Sequence, residues 1–144
     1  SSYWYNGYIY GTAIQRGVDV LELTPSRHLS QNEIDAATQV ELGEFNPQNQ
    51  NLFEWSPTPA VALSYVDQLA RRNAIRPAHA TSVRDVLKRL EAEDPTQPGN
   101  YAEVLDELET LATELENDAE LLPYGASRLR SLANTLTEIT GEQP

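Results

Sequence analysis

Apolar positions recur every three or four residues in the second half of this chain but crowd together or alternate in its first 23 residues, so two kinds of element are expected. From residue 57 onward the helical period runs through four stretches. Val61, Tyr65, Val66 and Leu69 make the first, with Ser56 as N-cap, Pro57 at N1 and an end near Asn73. Val83, Val86, Leu87 and Leu90 follow Pro77, and Pro95 with Pro98-Gly99 breaks that helix. The third carries Tyr101, Val104, Leu105, Leu108, Leu111, Ala112 and Leu115, opened by Asn100 with Glu103 three residues on as a capping box. Leu129, Leu132, Ala133, Leu136 and Ile139 form the fourth, opening near Pro123. Short connections make neighbours antiparallel, which predicts an up-down four-helix bundle.

The first 23 residues read differently. Strands are expected at about 3–10 and 18–23, joined by Gly11 to Gly17. In the second strand Val18 and Val20 take one face and Leu21 and Leu23 the other, the pattern of an interior strand buried on both sides. A two-stranded hairpin is marginal in water, so this one is expected to find further strands elsewhere. Between the two zones Ser30 and Glu33 form a capping box for one short helix with Ile34, Ala37 and Val40, stopped by Gly43. A long loop from Glu44 to Trp55 follows, pinned by its aromatics Phe45, Phe53 and Trp55. The expected fold is mainly α: a terminal β-hairpin (1–23), a connecting segment with one short helix (24–56) and a helical bundle (57–144).

Composition narrows the function. The 144 residues carry a formal charge of −12, which argues against a nucleic-acid partner, since that binding is driven by Lys and Arg neutralising phosphates. No apolar run reaches the roughly 20 residues of a membrane span. There is no signal-type segment, so any export would be directed by sequence outside this chain. The absence of Cys removes disulfides, thiolate metal sites and cysteine nucleophiles together. No cofactor is expected.

Four groups of residues invite a chemical reading, and none of them amounts to a catalytic site. The third helix bears Glu103, Asp106, Glu107, Glu109, Glu114, Glu116 and Asp118, with Glu91, Glu93 and Asp94 before it. Calcium needs oxygens folded around a loop, and no such loop pattern is present, so these acids are expected on a solvated face opposite the Leu stripe. The same face offers carboxylates but no cleft for glycoside hydrolysis. His28 and His79 each lie near Ser or Thr, without the nucleophile elbow or oxyanion-hole loop a Ser–His pair would need. Ser1 as an N-terminal nucleophile would need a basic neighbour and a sandwich of sheets to hold it. The dense aromatics Tyr3, Trp4, Tyr5, Tyr8 and Tyr10 fit burial against other β-structure, contact with a partner chain, or stacking on a carbohydrate.

The run Tyr3-Trp4-Tyr5-Asn6-Gly7-Tyr8-Ile9-Tyr10 with Arg16-Gly17-Val18-Asp19-Val20-Leu21-Glu22-Leu23 resembles the last repeat of secreted LVIVD-repeat proteins. Residues 29–37 and 44–48 look like the segment that follows it in actinobacterial members. The resemblance covers about the first third of the chain. It implies a β-propeller-like parent, in which this hairpin would be part of one blade, and an extracellular or cell-surface location. The tail is similar to the FIMAH-type helical module, through Ala74-Ile75, Leu87, Leu90, Leu105, Leu108, Leu111 and Leu129-Arg130-Ser131-Leu132. That family lends no catalytic residues.

The sequence therefore points to a non-enzymatic C-terminal piece of an extracellular repeat protein. Tyr3, Trp4, Tyr5, Tyr8, Tyr10, Val18 and Val20 would supply strand contacts to the rest of the parent or to another copy. The helices would act as a spacer or protein-contact module. The alternative is a carbohydrate-binding module that uses the Tyr/Trp cluster.

Overall fold

The computed structural model describes residues 1–44, 46, 48, 52–94 and 98–141. It is mainly helical, with an N-terminal three-stranded antiparallel sheet followed by five helices. The chain divides into two compact units, Ser1–Ser56 and Pro57–Pro144.

In the first unit β1 (Ser2–Tyr5), β2 (Tyr8–Ala13) and β3 (Gly17–Glu22) pair in that order. The expected single strand at 3–10 is two strands. Asn6 and Gly7 both take positive φ, 46° and 89°, as a type I′ turn requires, and the chain reverses there. The tyrosines on either side mask this break, because both flanks read as strand. Part of the shortage expected of the hairpin is thus met from within the chain. The second reversal puts Gly17 at φ 88° after a short loop in which Arg16 N–H donates to Ala13 O.

The expected interior strand at 18–23 is also corrected. β3 is an edge strand, with no further strand beyond it among the described residues. Its apolar side chains lie in solvent on both faces.

Helix α1 (Gln31–Thr38) starts at the predicted capping box. Glu33 N–H donates to Ser30 Oγ at 3.2 Å, and Ser30 N–H donates to Glu33 Oε2 at 2.7 Å. Ile34 and Ala36 are its buried residues. Among the described residues between Thr38 and Pro59 there is no α-helix and no β-strand. Phe45 and Pro47 lie outside the described residues, as does Pro95.

The second unit contains α2 (Pro59–Arg71), α3 (Pro77–Ala92), α4 (Pro98–Leu121) and α5 (Ala126–Gly141). Each packs on two others: α4 on α5 and α3, and α2 on α5 and α3. One apolar core runs through all four, including Val66, Leu69, Val83, Leu87, Leu108, Leu115, Leu129, Leu132 and Leu136. Three helix starts differ from expectation. The N-cap of α2 is Thr58, which accepts from Val61 N–H, with Pro59 at N1. Ser56-Pro57 and Thr58-Pro59 carry the same signal two residues apart, and only packing selects between them. α4 begins at Pro98, so Asn100 is already helical and cannot be its N-cap. α5 begins at Ala126, Pro123 serving in the turn that precedes it, with Gly125 N–H donating to Leu122 O.

α2 ends in a Schellman motif. Asn73 takes φ 51°, Ala74 N–H donates to Leu69 O at 2.9 Å, and Asn73 N–H donates to Ala70 O at 3.1 Å. This tight stop positions the α2–α3 loop against the α4–α5 loop, where buried Gly125 touches Ala74.

Candidate interaction surface on the sheet

Residues directly opposed across an antiparallel pair share a face, so the register sorts the predicted contact residues. Tyr3 opposes Tyr10, Tyr10 opposes Val20, Tyr5 opposes Tyr8, Tyr8 opposes Glu22 and Thr12 opposes Val18. One face therefore carries Tyr3, Tyr5, Tyr8, Tyr10, Val18 and Val20 together. Trp4, opposed to Ile9 and through it to Leu21, is on the other face. The sequence groups Trp4 with the tyrosines, but the strand period separates them.

The tyrosine face is open. Val18 is 63% exposed and Val20 57%, and Tyr3 and Tyr8 are nearly half-exposed. Tyr5 and Tyr10 meet edge to face across the strands, with centroids 6.4 Å apart. On the opposite face Leu21 is 54% exposed, and Trp4 meets the ring of Phe53 edge to face at 6.3 Å. Of the three predicted anchors, Phe53 thus contacts the sheet, Trp55 is exposed, and Phe45 lies outside the described residues.

The turn at Asn6 is held from the connecting segment. Asn6 Nδ2 donates to Leu42 O at 3.1 Å and Leu42 N–H donates to Asn6 Oδ1 at 2.7 Å, while Tyr5 OH lies 3.5 Å from Gly43 O. This amide-to-backbone bridge imitates one rung of a ladder beside β1. Val40, Leu42, Leu52 and Phe53 line an open cleft of about 460 Å³ with Glu41 and Glu54.

A second constellation lies in the helical unit, and the sequence reading missed it. Asp118, expected on the solvated face, is 2% exposed. One of its oxygens is 3.0 Å from an Arg76 guanidinium nitrogen, and the other is 2.9 Å from His79 Nδ1. That second contact is close but not aligned as a hydrogen bond, since both atoms are buried without such a partner. His79 Nε2 faces Glu114 at 3.4 Å. The signal was available: Asp118 falls three residues after Leu115 and seven after Leu111, on the Leu stripe itself. The two carboxylates occupy opposite nitrogens of one imidazole, so they cannot share a metal with it. No metal-holding group of His, Asp and Glu occurs among the described residues. The arrangement is a charge tie from the start of α3 to the end of α4.

The other polar candidates have local roles. His28 N–H donates to Ser26 Oγ and its ring accepts from Arg27. Ser1 extends the strand ladder, its carbonyl accepting from Thr12 N–H at 2.9 Å. No helix among the described residues is long and apolar enough to cross a membrane.

Comparison with protein-family models, curated proteins and solved structures gives no match.

Proposed function

We propose that this chain is a non-catalytic interaction module of a larger extracellular repeat protein. Its sheet adds strands to a β-structure formed by the rest of that protein or by another copy. Its helices, as an up-down four-helix bundle, serve as a spacer or protein-contact module. The observation that carries this reading is β3, an edge strand with Val18, Val20 and Leu21 each more than half exposed. Such an edge offers unpaired backbone groups and apolar side chains at once, the two requirements for strand addition. The resemblance of residues 3–23 to a repeat of LVIVD proteins supports a partial propeller blade, and with it an exported or cell-surface location.

Amide hydrogen exchange on the 144-residue chain tests this. The outward amides of β3 should exchange rapidly, and a peptide repeating residues 1–23 should slow them. A monomeric chain whose entire β3 exchanges slowly without any added strand would remove the strand-donor reading.

A second reading rests on the open tyrosine face, where Tyr3, Tyr8 and Tyr10 form a stacking platform for a carbohydrate. Tyrosine fluorescence and chemical shifts across a panel of polysaccharides separate the two. Perturbation of Tyr8 and Tyr3 without loss of β3 exchange favours sugar binding.

A further inference from the structure

Charge is sorted along the helical unit in a way its net acidity hides. Residues 68–84 contain four Arg and no acid, and residues 121–137 contain two Arg and no acid. Residues 85–120 between them hold twelve acids against Lys88 and Arg89. The fold brings the two acid-free stretches together, because Gly125 in the α4–α5 loop packs on Ala74 in the α2–α3 loop. One end of the unit therefore gathers Arg71, Arg72, Arg76, Arg128 and Arg130.

The acids nearest this end offset it only in part: Asp118 is held by Arg76, and Glu114, Glu116 and Glu120 are exposed on α4. Arg72, Arg128 and Arg130 make no ion pair with any described residue. Beside them Tyr124 is 79% exposed and Leu121 67%. Arg and Tyr around an exposed aliphatic side chain is the composition of an interface core.

The complementary surface is on the same molecule, too far away to be reached within it. Glu103, Asp106 and Glu109 are exposed on the first half of α4, a helix of 24 residues; Glu109, the last of them, lies twelve residues and thus about 18 Å before Leu121. We infer that the Arg72–Arg128–Arg130 end, with Tyr124 and Leu121, docks on the acidic Glu103–Asp106–Glu109 surface of a second copy. The contact is head-to-tail, so each step of addition leaves a free basic end and a free acidic end. At physiological ionic strength charges are felt over about 8 Å, so the local match acts while most of the −12 on each chain is screened. Net charges of the same sign on the two copies keep the association weak. This inference is independent of the sheet.

Sedimentation velocity of the full chain at about 0.1 M and about 0.5 M salt is the test, because the higher concentration cuts the reach of the charges to roughly half. The average mass should rise with protein concentration at the lower salt and return to the monomer at the higher. Arg72→Glu/Arg128→Glu/Arg130→Glu and Glu103→Lys/Asp106→Lys/Glu109→Lys change exposed or half-buried side chains, and far-ultraviolet dichroism verifies their folding. Each variant alone should be monomeric, and an equimolar mixture should regain association through the one intact pair of ends. A wild-type chain that is monomeric at millimolar concentration overturns the inference. Association that survives the arginine reversals or the higher salt also overturns it, the latter pointing to the sheet edge instead. Binding of poly-glutamate to a chain that never self-associates would overturn it too, and assign the basic end to a separate acidic partner.

Discussion

Gly125 packs on Ala74 so closely that a Cβ added to it would lie 2.8 Å from the Ala74 Cβ and 2.9 Å from the Ala74 carbonyl oxygen. A flexible side chain could move aside, but a carbonyl held within the Schellman stop of α2 cannot. Gly125→Ala should therefore cost about 1–3 kcal/mol, the range for overpacking a tight site. Urea unfolding of the helical unit, read by far-ultraviolet dichroism, measures it. Gly43→Ala, where a Cβ would meet open space, is the control and should leave the midpoint nearly unchanged.

Asp118 and Arg76 are unequal partners. The carboxylate is buried, whereas the guanidinium side chain is 53% exposed at 3.0 Å. Removing the exposed partner leaves a buried charge short of compensation, while removing the buried one lets Arg76 turn to water. Arg76→Ala should thus destabilise the helical unit by about 1–3 kcal/mol, less than a fully buried pair because water reaches the arginine. Asp118→Asn keeps the shape and discards the buried charge, so it should cost less than Arg76→Ala. Thermal unfolding of the two variants side by side gives the order.

Asn6 does two jobs in the β1–β2 turn. It accepts a positive φ of 46°, and its amide both donates to and accepts from Leu42. Asn6→Ala loses the bridge and strains the turn, for a loss of about 1–3 kcal/mol. Asn6→Gly keeps the turn and loses only the bridge, so it should be milder. Amide exchange along β1 and β2 reports the loss, with the helical unit unchanged.

Leu108 is fully buried in the core shared by the four helices. Leu108→Ala should destabilise that unit by about 2–5 kcal/mol, the range for a buried Leu truncated to Ala. Because residues 1–56 form a separate compact unit, the Tyr5–Tyr10 contact should be unchanged in nuclear Overhauser spectra of the variant without denaturant.

Where periodicity is long, the fold is legible. Val104, Leu108, Leu111 and Leu115 are a case in point: their spacing predicts a single stripe, and all four are buried. Ser30 and Glu33 are legible for a different reason, since a capping box is a contact between residues only three apart. The start of α2 is ambiguous because Ser56-Pro57 and Thr58-Pro59 satisfy the same local rule. The break at Asn6-Gly7 carries its own turn signal, but the aromatic run around it reads more strongly as one strand. Of the candidate surface, alternation alone separates Trp4 from Tyr3 and Tyr5, whereas the meeting of those two with Tyr8 and Tyr10 on one face depends on the turn that resets the register.

The sequence alone determined the helical tail, the β-rich start and the amphipathic stripe on each helix, because these follow from neighbours within a few positions along the chain. Tertiary structure decided that β3 is an edge, that Asp118 is buried beside Arg76 and His79, and that the arginines of residues 71–76 and 128–130 share one end. Each of these depends on residues far apart in the chain, as Arg76 is from Asp118 and Ala74 from Gly125, or on a strand having no neighbour beyond it. Local rules carry no information about such meetings; only the path of the backbone through space brings them about.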